Sequence, residues 1–267
     1  MKILSIGNSF SMDAQRWIPE LAASLGQEVL LGDLYIGGCS LERHAENMRT
    51  GAPAYEYSEN NRSLGACSLK TGLLDRDWDV VTLQQASHFS GLADTYFPYI
   101  GELAAYVASL CPEAKIYVHQ TWAYEYNSTH SQFVNYDCDR FKMHSALSAA
   151  YDKAAKSIGA PQIYVGEAVA LARQNPVFDP EKGGMPLTRD GFHLSYQYGR
   201  YLAAAVWCET LLNLDTRNSS LVPQDREFIG HDQSGVPLYR PIPESRADEE
   251  KLKLLRAVAH ETAQKHR

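Results

Sequence analysis

Short apolar runs alternate along the chain with longer stretches in which apolar residues return every three to four positions. The runs fall at residues 2–6, 28–36, 79–83, 114–119 and 162–165. Strand-length runs separated by helical stretches predict a parallel sheet with covering helices. A first helix is read from Trp17, Ile18, Leu21, Ala22 and Leu25, which share one face and end at Gly26. The same period predicts helices over 95–110, 138–158 and 166–173. A further helix, capped by Ser195, carries Tyr198, Tyr201, Leu202, Ala205, Val206 and Leu212 at helical spacing.

Two regions depart from this alternation. Residues 52–70 read as two short polar-apolar segments around an Asn-Asn turn, which predicts a surface hairpin inserted into the α/β core. Residues 215–243 are polar and proline-bearing, as expected of a long surface connection. Residues 245–264 then form a charged helix with the apolar stripe Leu252, Leu255, Val258 and Ala259. The expected organisation is one domain over 1–267, with a hairpin insertion at 52–70 and a C-terminal extension at 215–267.

Composition narrows the functional classes. At 267 residues and 45% apolar content the chain has material for a sizeable core. A net charge of -7 without clustered Lys and Arg argues against a nucleic-acid groove or an anionic membrane surface. No apolar run approaches the roughly 18 residues of a membrane span. The opening Met1-Lys2-Ile3-Leu4-Ser5-Ile6 leaves no room for a signal peptide, so the expected location of the chain as it stands is the cytoplasm. A chain trimmed of a leader would read the same. Five scattered cysteines, Cys39, Cys67, Cys111, Cys138 and Cys208, never fall at C-x-x-C spacing, and the expectation is buried free thiols in a reducing compartment.

The candidate chemistry lies in two distant fragments. Gly7-Asn8-Ser9-Phe10 follows the first apolar run, which places Ser9 at the carboxyl end of a strand, where open α/β sheets bind their ligands. The helix that follows aims its free N–H groups at the same spot, favouring a developing oxyanion. Asp190-Gly191-Phe192-His193 can present both polar side chains from one tight loop. Serine becomes a nucleophile only when a base takes its proton and a third group orients that base, and these fragments supply all three.

With these residues the chain resembles the SGNH (GDSL-like) hydrolase superfamily, and within it a bacterial subgroup with a Gly-Asn-Ser-Phe first block. Gly7-Asn8-Ser9-Phe10 resembles the first block, Ile36-Gly37-Gly38-Cys39-Ser40 the second, and Asp190-Gly191-Phe192-His193 the last. The resemblance implies a three-layer, flavodoxin-like α/β fold with a central, mostly parallel five-stranded sheet and helices on both faces. It also implies catalytic Ser9, Asp190 and His193. The implied oxyanion hole uses the N–H groups of Ser9 and of Gly37 or Gly38, with an amide from Gln84 or Gln85. Two positions depart from the pattern. Asn8 stands where Asp is common, and Leu83-Gln84-Gln85-Ala86-Ser87-His88 replaces the usual Gly-x-Asn-Asp, similar to carbohydrate esterases that use glutamine there. A glutamine amide suits the role because it donates an N–H without carrying charge. Alternation does not settle which of the two glutamines faces the site; a small preference goes to Gln85.

Each of these residues also has an ordinary structural use. Ser9 could cap a helix, Gly37 and Gly38 could shape a turn, and His193 could hold a loop. His88 lacks a carboxylate at short spacing, which makes it a substrate-contact or packing residue. His44, His119, His130 and His144 show no metal-site spacing, and neither a metal nor a cofactor is expected. The expected function is hydrolysis of a small acyl ester, acetyl above all, on a carbohydrate or related small molecule. The alternative is a non-catalytic carbohydrate-binding or regulatory module on the same fold. A third possibility is transfer of the acyl group to an alcohol other than water.

Overall fold

A computed structural model describes residues 1–224, 226–231, 237–242 and 245–267 of the protein. Its centre is a seven-stranded sheet in the order β4-β3-β2-β1-β5-β6-β7. The strands are β1 (Lys2–Gly7), β2 (Leu30–Tyr35), β3 (Tyr55–Glu59), β4 (Arg62–Cys67), β5 (Val80–Leu83), β6 (Lys115–His119) and β7 (Gln162–Ile163). β2, β1, β5, β6 and β7 run parallel, with Ile6 opposite both Leu34 and Leu83. This is the mostly parallel α/β sheet the pattern predicts. The chain winds outward from β1 to β2 and then restarts at β5 on the other side. The carboxyl ends of β1 and β5 therefore flank a topological switch point, the place where such sheets leave a crevice.

The sheet has seven strands rather than five because the segment within 52–70 joins it. β3 pairs antiparallel with β2, and β4 with β3. Asn60 and Asn61 connect them at φ of 45° and 64°, the positive values that a two-residue hairpin turn demands and that asparagine tolerates. One face of the hairpin is anchored: Tyr55 and Tyr57 are buried, and the Tyr55 hydroxyl lies 2.9 Å from His44 Nδ1. The expected hairpin is present, and it extends the core sheet instead of standing apart on the surface.

Helices α1 (Ser9–Gln15), α2 (Ile18–Ser24), α7 (Val165–Ala172), α8 (Gly199–Leu211) and α9 (Glu249–Lys265) pack together on one side of the sheet. On the other side α3 (Leu41–Thr50), α4 (Leu69–Leu74) and α5 (Tyr99–Leu110) pack together, with α6 (Arg140–Ser157) nearby. The single helix expected around Trp17 is divided, since Pro19 starts a new helical turn and Trp17 acts as its cap. The helix expected from residue 95 begins at Tyr99, after Pro98. Ser195 Oγ accepts the Gly199 N–H at 3.0 Å, although Ser195 precedes α8 by a turn. Within 215–243, where an irregular connection was expected, β8 (Arg226–His231) and β9 (Pro237–Pro241) pair as a separate hairpin. Residues 225, 232–236 and 243–244 of that region lie outside the described residues. The cysteine expectation holds in part: Cys39, Cys111 and Cys208 are buried free thiols, Cys67 is half-buried and Cys138 is exposed.

One packing detail between α1 and β2 has a titration consequence. Ser11 Oγ lies 2.8 Å from Asn8 O and 3.1 Å from Asp33 Oδ1. Asn8 O already accepts the Ser11 and Met12 N–H groups at 3.1 Å and 3.2 Å, so the hydroxyl's single proton can serve Asp33 Oδ1. Burial pushes Asp33 from 3.8 up to about 7, outweighing the hydrogen bond to Ser11 that lowers it, with Glu56 adding a smaller upward push. A folded-state value above the unfolded one means the folded chain binds the extra proton, so this stabilisation is complete below about pH 4 and is lost as pH rises through 7. Buried, lowered His44 and His119 act in the opposite sense, so the effect is read as a difference between proteins. Asp33→Asn keeps an acceptor for the Ser11 hydroxyl and removes the titrating group. Relative to wild type it is expected to gain stability as pH rises from about 4 to 7, by up to roughly 4 kcal/mol, in urea melts across that range.

Candidate active site

Asn8, and not Ser9, caps α1. Its Oδ1 accepts the Phe10 N–H at 3.0 Å, leaving Ser9 as the first helical residue with its side chain free for other work. Ser9 Oγ lies 2.8 Å from His193 Nε2, and His193 Nδ1 lies 2.7 Å from Asp190 Oδ2. The carboxylate accepts, so Nδ1 carries the ring proton and Nε2 offers a lone pair to the serine hydroxyl. The sheet and the late loop thus bring together three side chains from opposite ends of the chain.

The loop that carries Asp190 and His193 is a miniature hairpin. Thr188 bridges Leu194, and the Arg189 N–H donates to His193 O at 2.9 Å. Asp190 Oδ1 accepts the backbone N–H groups of His193 at 2.7 Å and Phe192 at 3.1 Å. Partial burial pushes the Asp190 carboxyl up, but the hydrogen bonds from the His193 ring, His193 N–H and Phe192 N–H outweigh it, and its pKa lies below the ordinary 3.8. Asp190 is therefore ionised at neutral pH. Gly191 sits at φ +89° with Ser128 Cα only 3.0 Å from where a Cβ would be, so a side chain there is excluded twice over. The loop after β6 holds it from above, through Glu125 N–H to Gly191 O at 2.7 Å and Trp122 Nε1 to Phe192 O at 2.7 Å.

Beneath the site is a group that sequence reasoning missed. Asp13, one turn beyond Ser9 on α1, is fully buried. Its Oδ1 accepts Arg200 Nε at 2.8 Å, and its Oδ2 accepts Arg189 Nη1 at 3.0 Å and the Leu194 N–H at 2.8 Å. The helix that begins at Ser9 and both flanks of the His193 loop converge on one carboxylate. The available signal was the i, i+4 relation of Ser9 and Asp13, together with Arg189 beside Asp190.

The two glutamines serve different ends. Gln85 donates both amide protons to Thr95, at 2.9 Å to its O and 3.1 Å to its Oγ1, and accepts from Leu41 N and Ala86 N. It has no proton left for an oxyanion, so the preference for Gln85 is corrected by proton count. Gln84 Nε2 gives one proton to Asn8 Oδ1 at 2.8 Å and keeps the other. Its Oε1 accepts from His119 Nδ1 at 2.7 Å. His119, also missed as a site residue, is fully buried, and that burial lowers its pKa to about 3, so it stays neutral. Asn8 Nδ2 completes the network with a 3.0 Å bond to Cys39 O. This explains the asparagine: the position must donate and accept at once, which a carboxylate cannot do. Gly37 and Gly38 form an exposed turn closed by Cys39 N–H to Ile36 O at 3.2 Å, with Gly38 at φ +61°.

Aromatic rings enclose the histidine. Phe192 and Phe10 lie 4.4 Å and 5.7 Å from the His193 ring, and Phe10 stacks on Trp122 at 4.3 Å. His130 packs edge-on to Phe192, and His88 stacks on His130 at 6.0 Å. Burial lowers both outer histidines. The charge of His193 lowers His130 further, against a smaller upward pull from Asp190. Both are neutral at pH 7, able to hydrogen-bond without adding charge. Glu209, Asp215 and His260 also cluster, but Glu209 already accepts from Thr216 and faces His260, where it ties α9 to α8.

The sheet order and the linked serine, histidine and aspartate at its carboxyl end define the class: the fold is that of the SGNH hydrolases. A protein from Slackia heliotrinireducens, provisionally assigned as an SGNH hydrolase, shares it at a TM-score of 0.54 and 26% identity, over 79% of this chain and 98% of its own. A provisionally described GDSL-like lipase from Parabacteroides merdae ATCC 43184 has the fold at a TM-score of 0.50 and 13% identity, over 78% and 94%. Within that class the chain belongs to the family described as "Domain of unknown function (DUF4886)", whose model matches residues 2–229. A DUF4886 family protein from Bacteroides uniformis ATCC 8492 is similar over 99% of this chain and 95% of its own, with a TM-score of 0.85 and 33% identity. No curated protein matches the chain. Among the described residues, no helix is long and apolar enough to cross a membrane.

Two substitutions probe the framework. Asp13→Ala leaves Arg189 and Arg200 without their shared partner and is expected to cost about 3–5 kcal/mol in guanidinium chloride unfolding. Asn8→Asp loses the donor to Cys39 O at a position only 1% exposed, with an expected cost of about 1–3 kcal/mol at pH 7. Because a protonated Asp could donate again, the Asn8→Asp deficit is expected to shrink as pH falls toward 4, which urea melts would reveal.

Proposed function

We propose that the protein is a serine esterase that removes a small acyl group, acetyl above all, from a carbohydrate or a related alcohol. The observation that carries this reading is the hydrogen-bonded series from Ser9 Oγ through His193 to Asp190, at 2.8 Å and 2.7 Å, at the mouth of the β1–β5 switch point. The likeness to SGNH hydrolases points the same way.

In this mechanism Ser9 Oγ attacks the ester carbonyl as its proton passes to His193 Nε2. Asp190, ionised and held by two backbone N–H groups, keeps the ring oriented and supports its positive charge. The oxyanion takes hydrogen bonds from the Ser9 N–H, from Gly37 or Gly38 N–H, and from the remaining amide proton of Gln84. Collapse of the tetrahedral intermediate breaks the bond to the alcohol, which leaves with the proton from His193. Water then attacks the acyl-serine, giving its proton to His193, and the acid is released with Ser9 restored. The rings of Phe10 and Phe192 beside His193 favour a small acyl group. The glutamine block, similar to that of carbohydrate esterases, favours a sugar alcohol. No cofactor enters.

A fluorophosphonate probe followed by mass spectrometry tests this directly. Labelling is expected at Ser9 and is expected to disappear in His193→Ala. Turnover of a small aryl acetate should fall by about 10³-fold or more in Ser9→Ala or His193→Ala. Gln84→Ala is expected to lower turnover by roughly 100-fold, while Gln85→Ala should act on stability first. A wild-type protein that takes no label and cleaves no aryl acetate would favour the binding module. Acyl transfer would show as an ester product when an alcohol acceptor is added.

A further inference from the structure

Beside α1 the sheet leaves a cleft of about 340 Å³, within the roughly 300–1,000 Å³ usual for small-molecule sites. Its floor follows from strand alternation and register. Leu31, Asp33 and Tyr35 point to one face of β2, and Ser58 and Glu56 stand opposite Asp33 and Tyr35 on β3. Ser63 of β4 pairs with Ser58. Met12 and Gln15 of α1 form the wall. The hairpin's other face is anchored by Tyr55 and Tyr57, so this one is left open to solvent.

We propose that this cleft binds a neutral sugar ring on the alcohol side of the scissile ester, an inference that rests on the esterase reading above. Three observations carry it. Among the described residues the lining contains no lysine, arginine or histidine; its polar groups are carboxyl, amide and hydroxyl, beside the Tyr35 ring and the apolar Met12 and Leu31, a set that disfavours an anionic ligand. Asp33 is 5% exposed and its Oδ1 is taken by Ser11. Its Oδ2 makes no hydrogen bond among the described residues and lines the cleft as an acceptor for a ligand hydroxyl. The hydroxyls of Ser58, Ser63 and Tyr35 and the amides of Gln15 and Asn61 line the same cleft, a set that donates and accepts as a polyol does, and burial raises the Asp33 pKa to about 7, which lessens the charge a cationic amine would seek. The cleft also borders the site. Met12 is one turn from Ser9 on α1, and the Tyr35 hydroxyl would lie 3.4 Å from a Cβ on Gly37, in the turn proposed to hold the oxyanion.

The test uses the full chain and two substrates, an aryl acetate and a panel of acetylated xylo-, cello- and chito-oligosaccharides. Ser63→Trp fills the cleft from an exposed strand position, and its fold is checked by thermal melting. It is expected to reduce kcat/KM on the best oligosaccharide at least tenfold more than on the aryl acetate, mainly through KM. In Ser9→Ala protein, the corresponding unacetylated oligosaccharide is expected to give saturation-transfer NMR signals that Ser63→Trp abolishes. If wild type cleaves the aryl acetate but Ser63→Trp lowers both substrates equally, or no oligosaccharide of the panel binds, the cleft assignment is overturned and the esterase reading stands. If wild type cleaves neither substrate, the esterase reading falls, and sugar binding that Ser63→Trp abolishes would still uphold the cleft. Stronger binding of spermidine than of any sugar in the panel would overturn it.

Discussion

The Asp13 carboxylate is the constraint on which the site geometry depends. A fully buried charge is tolerable only when its hydrogen-bonding capacity is filled, and here two guanidinium groups and a backbone N–H fill it. Those donors come from Arg189, Leu194 and Arg200, which flank the His193 loop on both sides. The electrostatic need of one aspartate therefore sets the distance between the helix that starts at Ser9 and a loop that arrives late in the chain. That distance keeps Ser9 Oγ and His193 Nε2 within hydrogen-bond reach, at 2.8 Å.

A second network, neutral throughout, sets the other side of the site. His119, Gln84 and Asn8 link the carboxyl ends of β6, β5 and β1, and Asn8 reaches on to Cys39 after β2. Asn8 is oriented by the Phe10 N–H, which can only donate, and the Cys39 carbonyl, which can only accept; its Oδ1 then makes Gln84 Nε2 a donor and Gln84 Oε1 an acceptor from His119. With His119 held neutral by burial, the ionised Asp190 is left as the charged partner of His193.

The hairpin of β3 and β4 changes what the fold can hold. It extends the sheet past the reach of α1, buries its tyrosines on one face and leaves the other as a polar cleft. Asp33, buried at the edge of that cleft, shares Ser11 with the Asn8 carbonyl, so the cleft and α1 meet through a single hydroxyl.

Much of the architecture was legible from periodicity, because strand alternation and helical spacing are local properties of the chain. The Asp190–His193 pair was legible for the same reason: its hydrogen bonds span three positions and need only one tight loop. So was the Asn60-Asn61 turn, where positive φ selects the residue type. By itself, then, the sequence determined the α/β class, the strand ends and the candidate serine, histidine and aspartate. Tertiary structure alone decided that Gln85 is consumed by Thr95 while Gln84 retains a proton, that Asp13 gathers Arg189 and Arg200, and that Asp33 is buried against Ser11. The physical reason is that a polar side chain's role depends on which partners exhaust its donors and acceptors. Those partners come from strand ends and loops that meet only when the sheet is assembled.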